Sequence, residues 1–571
     1  MSAEKFEPDT NSYNNKSLEK GAPEQYVAPT DDRYRFSQSD LDRVQRRLKQ
    51  RHVQMIAVSA IGSCFSLQLN PNHIHQRADR GDYWNRFVLG SGSALHKAGP
   101  LGALLAYLLV GTVAYSSLCS IGEMTALAPI SGTFPHFAAR WVQPSFGAAV
   151  SPFFFFWVSI SIPVEITAAT ILITFWDDNH KHQAGYTAVL CFLVCLINVF
   201  GVRYFGESEF VFSIIKLTLI TGLILCGLII DLGGGPTHHR LGFTYWKHPG
   251  ALNGPGLVKS KGTDHFLGWL SVLVQAGFSF QGMELVAIAA SETENPRRNI
   301  SKAVRRVFWR IAIFYILGII ITGMLVPFDD PDLLNGNGTA SQSPYVIAIR
   351  RAGIHTLPSI INAAIFTSAF SAGNSFLFCS SRVLYGLSVR GQAPSFFSYC
   401  TKGGLPIVAV LTCCSFSLLS FMNVSSNAAK VFNWFVNLST SAGFFSWWAI
   451  NLTYIRFWRG HKVQGRDLKE LAYNNPLQPG LAIWGVFWTS VFILVDGYQV
   501  FFKWNTQDFL TGYINIPIFF ALWIGWTIYM RQPFWRAHEM DFVTGIPTIE
   551  ETDAPEVPPR NLSEKIFNAI F

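Results

Sequence analysis

Charged side chains are what this sequence holds least of. Asp, Glu, Lys and Arg make up 14% of its 571 residues, against about 25% in soluble domains. That shortage excludes an ordinary water-facing globular surface. Histidine and cysteine are also sparse, at 14 and 9 residues, and no cysteine falls in a zinc or disulfide spacing. Cys191, Cys195, Cys226, Cys379, Cys413 and Cys414 lie in or beside apolar runs, where a thiol acts as a small hydrophobe. No structural disulfide, metal or cofactor is expected. The N-terminal stretch MSAEKFEPDTNSYNNKSLEKGAPEQ lacks the apolar core of a cleavable signal peptide and reads as a disordered polar tail.

What is abundant is apolar: 50% hydrophobic residues and 15% aromatic. Several runs reach the ~20 residues that a helix needs to cross a bilayer core. Since lipid-facing backbone must satisfy its own hydrogen bonds, the fold class predicted is an all-α polytopic membrane protein. Run length gives eleven spans, near 99–125, 146–175, 185–202, 208–231, 264–290, 305–327, 357–387, 405–423, 429–455, 479–502 and 510–530. The half-runs QMIAVSAIGS and FVLGSGSAL supply a twelfth if joined.

The charge distribution favours joining them. With twelve spans both tails share one side, which then carries 30 Lys and Arg against 10 on the other, leaving out the polar insert between the half-runs. The bias of basic residues toward the cytoplasm places both termini there. The net charge of +8 is therefore read as topology and not as nucleic-acid binding. The basic segments NPRRNISKAVRR and RFWRGHKVQGRDLKE can also serve as lipid headgroup or regulatory contacts. The chain divides into an N-tail, 1–50, a transmembrane domain, 51–530, and a cytoplasmic C-tail, 531–571.

Two spans are interrupted by small or polar residues, five spans apart. The first carries Gly62, Ser63, Gly90, Ser91 and Gly92; the sixth carries GFSFQGMEL, Gly277 to Leu285. Glycine in a membrane helix often serves close packing. Broken helices at corresponding places in two halves point instead to a midplane site, where half-helix ends hold charged groups. Ionisable residues inside spans are few, and each costs roughly 2.5 to 3.5 kcal/mol to insert. Glu165 lies in SIPVEITAATI, Lys216 in FSIIKLTLI and Glu284 just past the sixth-span break. For Glu165 and Glu284, substrate or proton handling stands beside a satisfied structural hydrogen bond. A lysine kept from water can release and regain a proton, or can simply pair with a carboxylate. Glu123, at the cytoplasmic end of its span, can snorkel or form a structural pair.

Several segments together resemble the fungal amino-acid permeases (YAT type) of the APC superfamily. The matching text includes GSGSALHKAGPLGALLAY, GEMTALAPISGTFPHFAARWVQPSFGAAV, PVEITAA, FGVRYFGESEF, FSFQGMELVAIAASETENPRRNISKAV, SAGNSFLFCSSRVLYGLSVRGQAP and VFNWFVNLSTSAGFFSWWAINLTYIRFWRG. The resemblance runs from about residue 48 to residue 530. It implies a LeuT-like fold of two inverted five-helix repeats, with helices 1 and 6 broken, plus two extra C-terminal helices. It also implies proton-coupled amino-acid uptake by alternating access at the plasma membrane. On this resemblance the substrate site maps to Ile61, Gly62 and Ser63, followed by Gly90, Ser91 and Gly92, and to Phe278, Ser279, Phe280, Gln281 and Gly282, where an aromatic ring caps the pocket and carbonyls take the ammonium. Glu165 and Glu284 fall on matching acidic positions. Lys216 falls on the fifth-helix lysine that stands in for a sodium ion in proton-driven members.

One departure is plain. The family's text between the two half-runs reads like IGTGLFLGSG, ten residues, whereas Ile61 to Gly92 spans thirty-two, with the atypical polar segment at 64–86. Arg77, Asp79, Arg80, Asp82, Arg86, His73 and His75 at midplane depth would cost on the order of 10 kcal/mol in lipid. His73, His75, Asp79 and Asp82 are not expected to form a metal site. The segment is read either as translated non-coding sequence, with the chain then inactive as written, or as a polar loop reaching into a vestibule.

A nutrient sensor that keeps the permease fold is the rival function, and the short tails argue against it. A membrane enzyme is disfavoured, because no His, Asp or Cys cluster gathers at one face; HPG, HKH and THHR fall in outer loops without partner spacing. The expected partners are an amino acid, protons, the bilayer and cytoplasmic regulators of the tails, with no nucleic acid. Asn337, in NGT, is an outer-loop glycosylation candidate.

Overall fold

The computed structural model describes residues 90–547, apart from 131–132, 178, 236–237, 288–294, 335–342, 355, 425–427 and 545. Ile61, Gly62, Ser63, the segment 64–86 with its histidines and aspartates, Asn337 and the N-tail lie outside the described residues.

Among the described residues every regular element is helical. The major helices are α1 (Gly90–Leu127), α2 (Thr133–Trp141), α3 (Pro144–Ile173), α4 (Gln183–Val199), α5 (Val202–Asp231), α6 (Lys261–Phe280), α7 (Pro296–Leu325), α8 (Leu357–Val389), α9 (Ile407–Ser417), α10 (Ala428–Val463) and α11 (Gly480–Val495), followed by the bent pair α12 (Thr506–Tyr513 and Asn515–Met530). By length and composition five helical stretches can cross a membrane: Ala94–Leu127, Pro144–Ile173, Tyr204–Asp231, Lys261–Ala287 and Leu357–Val389. The α12 pair, bent by 44°, makes a sixth if counted as one span. At 1.5 Å per residue, a 30-residue helix such as α3 runs about 45 Å, enough to pass the hydrocarbon layer even when tilted. Large apolar side chains such as Phe192, Phe200, Leu228, Trp309, Leu494 and Ile528 are exposed on the outside of the bundle. Lipid is the solvent that accepts such a surface.

α1 is two helices joined at a kink. Gly99 adopts φ 71° and Pro100 follows it, so the backbone turns where proline supplies no N–H and only glycine sits without strain. The loop between α5 and α6 closes the gap: Leu101 N–H donates to Ala251 O at 2.9 Å and Asn253 N–H to Ala98 O at 3.0 Å. A Cβ at Gly99 would come within 2.6 Å of that Ala251 oxygen. The expected span starting at residue 99 is thus the second part of α1, and Gly90–Ala98 is a separate half-helix.

Packing separates two groups of helices. α1 lies against α6 and α7, while α3 lies against α8, with α4, α5 and α9 around that pair. α10 touches both α1 and α3 and carries α11. Between apolar helices a hydrogen bond has no water to compete with it. Asn451 of α10 uses this, accepting from Ser116 and Ser120 at 3.0 Å each and donating to Ser117 at 2.8 Å. Glu123 is fully buried at the end of α1, where its carboxylate accepts from Asn475 N–H at 2.7 Å and from the Tyr454 hydroxyl. Of its two readings, the structural pair is the one observed. Beyond α12, residues 531–547 fold back under the bundle, with Arg140 of α2 held to Asp541 at 3.1 Å and Phe542 packed on Trp141, Phe457 and His461.

Candidate functional site

The sixth-span text GFSFQGMEL breaks where its glycine stands. α6 ends at Phe280; Gln281 is extended (φ −61°, ψ 149°) and Gly282 takes φ 97° before a short turn leads to Leu285. A side chain at such a φ is strained, so the break needs its glycine. In an apolar interior a broken helix leaves peptide groups without their i to i−4 partners, each expensive to leave bare.

α10 and the following turn brace the break. Glu284 Oε2 accepts from Gly282 N–H at 3.1 Å and from Trp447 Nε1 at 3.1 Å. Gln281 Nε2 donates to Thr440 O at 2.9 Å. Gly443 of α10 makes room for that glutamine, since a Cβ there would stand 2.3 Å from the Gln281 side chain. Glu284 therefore makes the structural hydrogen bonds that were one of its two readings, and its second oxygen, Oε1, finds no hydrogen-bond partner among the described residues.

An aromatic cluster covers the same point from α1 and α7. The Phe280 ring lies 4.9 Å from Tyr315 at 81° and 6.3 Å from Tyr107, an edge-to-face geometry that aromatic rings favour. Both tyrosines also hold Ser279: the Tyr315 hydroxyl donates to its carbonyl at 3.0 Å, and the Tyr107 and Ser279 hydroxyls meet at 3.3 Å. Ser279, Phe280, Gln281, Gly282 and Glu284 thus gather at one point, with Phe278 one residue up the helix.

Gly90, Ser91 and Gly92 form the first turn of α1 and not an unwound strip. The atoms nearest to a Cβ at Gly92 belong to Leu333 and Pro344, between α7 and α8, at 3.0 and 3.5 Å; none of the three nearest belongs to the α6 break.

The second constellation lies between α3, α5 and α8. Glu165 is buried in α3, where its Cβ is 3.5 Å from the place a Cβ would take at Gly373 of α8. Its Oε2 has no hydrogen-bond partner among the described residues, and the charge of Lys216 acts on it. Lys216, on α5, is buried and donates to Ser371 Oγ at 3.0 Å. Ser371 in turn donates to Glu209 Oε2 at 2.8 Å, and Asn374 Nδ2 to Glu209 Oε1 at 2.8 Å. Asn198 of α4 closes the chain by donating to Asn374 Oδ1 at 2.6 Å. Glu209, Ser371, Asn374 and Asn198 were not singled out from the sequence. A signal existed for the first: Glu209 and Lys216 are seven residues apart, hence on one face of a helix.

A buried break in a helix, with aromatic cover and the Glu284 carboxylate beside it, suits a small zwitterion, whose two ends need opposite partners. The sequence model described as amino acid permease matches residues 86–539. The basic amino-acid permease of Saccharomyces cerevisiae is 36% identical over 89% of this chain and 85% of its own length. The proline-specific permease of Emericella nidulans is 38% identical over 92% and 93%. In fold, the chain is similar to a crystal structure of the Eremococcus coleocola manganese transporter, with a TM-score of 0.52 at 14% identity, covering 87% of this chain and 98% of that one. The family match, the two relatives and the broken α6 agree: the chain is a multi-pass membrane protein that belongs to the amino-acid permease family of the APC superfamily.

Proposed function

We propose that this protein carries amino acids into the cell across the plasma membrane, coupled to protons, by alternating access, with both termini in the cytoplasm. The observation that carries the proposal is the end of α6 at Phe280, with Gly282 at φ 97° inside an apolar bundle. Phe278–Gly282 offer carbonyl groups to an ammonium, while the first turn of α1 at Gly90–Gly92 and the residues Ile61–Ser63 before it offer N–H groups to a carboxylate. Neither end of the zwitterion is then left without a partner, and Phe280 lies over the pocket. Glu165 and Lys216 carry the proton, and Glu284 holds the break open.

No chemical step on the substrate is part of this reading. The two relatives' names specify basic amino acids and proline respectively, so the family match leaves the side chain accepted by this pocket open. The tails, 1–50 and 531–571, are proposed as contact points for cytoplasmic regulators. The segment 64–86, which in sequence separates Ser63 from Gly90, is proposed to depress the activity of the site.

The test is uptake of radiolabelled amino acids across a pH series, with competition by each of the twenty standard amino acids. Uptake that rises as the outside is acidified, and that a subset of amino acids blocks, is the expected result. Binding without uptake would support a sensor of permease fold instead. Uptake indifferent to the pH gradient would remove the proton from the account.

A further inference from the structure

Beyond the pair Glu165 and Lys216, the interior holds one more acidic side chain in line with them. Glu209 is completely buried on α5, two turns toward the cytoplasmic end from Lys216. Its carboxylate accepts from Ser371 and Asn374, and the same Ser371 oxygen accepts from Lys216. A carboxylate placed there merely to hold helices together is costly, because amide and hydroxyl groups tie α5 to α8 without burying a charge. Intramembrane acids linked through hydroxyls are instead the usual material of proton relays.

We propose that Glu209 is the inner proton carrier of this transporter, taking the proton from Lys216 through the Ser371 hydroxyl and releasing it toward the cytoplasm. The proposal rests on the proton-coupled reading above and adds the exit route to it. The separations of 3.0 Å and 2.8 Å are within the reach of direct proton transfer, and the donor directions run one way. In the transfer, the Lys216 ammonium gives a proton to Ser371 Oγ while the Ser371 hydroxyl proton passes to Glu209 Oε2. The products are a neutral amine, a neutral carboxylic acid and an unchanged serine. An ion pair becomes a neutral pair, so no net charge is created in the low-dielectric interior during the step.

The surroundings fit a carrier that is shut off until the protein changes state. One turn nearer the cytoplasm, Phe205 of α5 and Phe378 of α8 stack at 4.1 Å and 7°, and the Arg382 guanidinium lies 4.5 Å over the Phe378 ring. In the proposed route this stack is the barrier between Glu209 and cytoplasmic water. Parting α5 from α8 at that level would expose the acid and let its proton leave; Lys216 then regains a proton from the Glu165 side. Among the described residues, the charged groups near the relay include Glu165 from α3, Lys216 on α5 and Arg382 from α8. α4 contributes the neutral Asn198, and α7 meets α5 through Ile321 and Leu325 at Gly227.

The test uses the full chain reconstituted in proteoliposomes, with a parallel set in which residues 64–86 are deleted. The probe is a radiolabelled equimolar mixture of the twenty standard L-amino acids. Two readouts are taken: exchange without a gradient, and accumulation driven by an acid-outside gradient. In Glu209→Gln, accumulation is expected to fall at least tenfold more than exchange does, and Glu209→Asp is expected to recover part of it. Accumulation by Glu209→Gln at the level of the unsubstituted chain overturns the relay alone. Absence of gradient-driven accumulation in both unsubstituted backgrounds overturns the proton-coupled reading, and the relay with it. If Glu209→Gln loses exchange as well, Ser371→Ala against Ser371→Thr decides. Loss of accumulation with alanine and its retention with threonine, which keeps the hydroxyl, supports the relay; any other pattern overturns it.

Discussion

Lys216 and Glu209 meet the same hydroxyl: Ser371 Oγ accepts from the lysine at 3.0 Å and donates to the glutamate at 2.8 Å. One serine of α8 thereby joins two oppositely charged residues of α5 inside the bundle. Glu165, Lys216 and Glu209 lie among α3, α5 and α8, and the proposed substrate site is built mainly from backbone.

That arrangement predicts a split between binding and driving when Lys216 is lost. Lys216→Ala removes the charge facing Glu165 and the donor to Ser371 but leaves the α6 break intact. Gradient-driven accumulation should disappear while exchange of labelled amino acid continues in part. Proteoliposome uptake with and without a pH gradient measures both; accumulation that persists removes the lysine from the coupling role.

Phe280→Ala should weaken substrate binding with little effect on membrane insertion. The ring packs edge-on against Tyr315 and also meets Tyr107, and such a contact is worth about 0.5–1.5 kcal/mol beyond its area. A rise of about tenfold in KM, equivalent to ~1.4 kcal/mol, is expected. A concentration series of uptake rates reads it directly, and an unchanged KM places the substrate elsewhere.

Glu284 should tolerate amide better than truncation. Its Oε2 satisfies Gly282 N–H and Trp447 Nε1, and a buried donor left bare costs about 1–3 kcal/mol. Glu284→Gln keeps an acceptor oxygen, so it should lower the melting temperature of the detergent-purified protein less than Glu284→Ala. Equal losses would mean that the carboxylate charge, and not its hydrogen bonds, holds the break.

Much of the fold was legible because span length is a one-dimensional property. The expected spans at 146–175, 357–387 and 510–530 correspond to Pro144–Ile173, Leu357–Val389 and the pair ending at Met530. The α6 break was legible too, since its glycine-containing polar interruption falls five spans after a similar one. The Glu209 line was hidden for a physical reason. Glu209 sits at the edge of an expected span, where a charge is unremarkable, and Ser371 and Asn374 inside α8 look like packing residues. Their meaning comes from contacts across 162 and 165 positions of sequence, which periodicity does not reveal. The kink at Gly99 was likewise obscured, because its missing hydrogen bonds are supplied by Ala251 and Asn253 from a distant loop.

Removing residues 64–86 should raise uptake. In sequence the segment separates Ile61–Ser63 from Gly90–Gly92, the two parts of the proposed carboxylate half of the site, and charges at midplane depth would be costly. The shortened and full-length chains, expressed to equal surface levels and assayed for labelled amino-acid uptake, give the comparison. Equal uptake by both would establish the segment as a tolerated loop.

The most direct measurement is a density map of the protein with an amino acid bound. The account places the ligand ammonium at hydrogen-bond distance, about 2.7–3.2 Å, from carbonyl oxygens of Phe278–Gly282, its carboxylate toward Gly90–Gly92, and the Phe280 ring over it. A ligand held elsewhere, or a continuous helix through Gly282 once the ligand is bound, would contradict it.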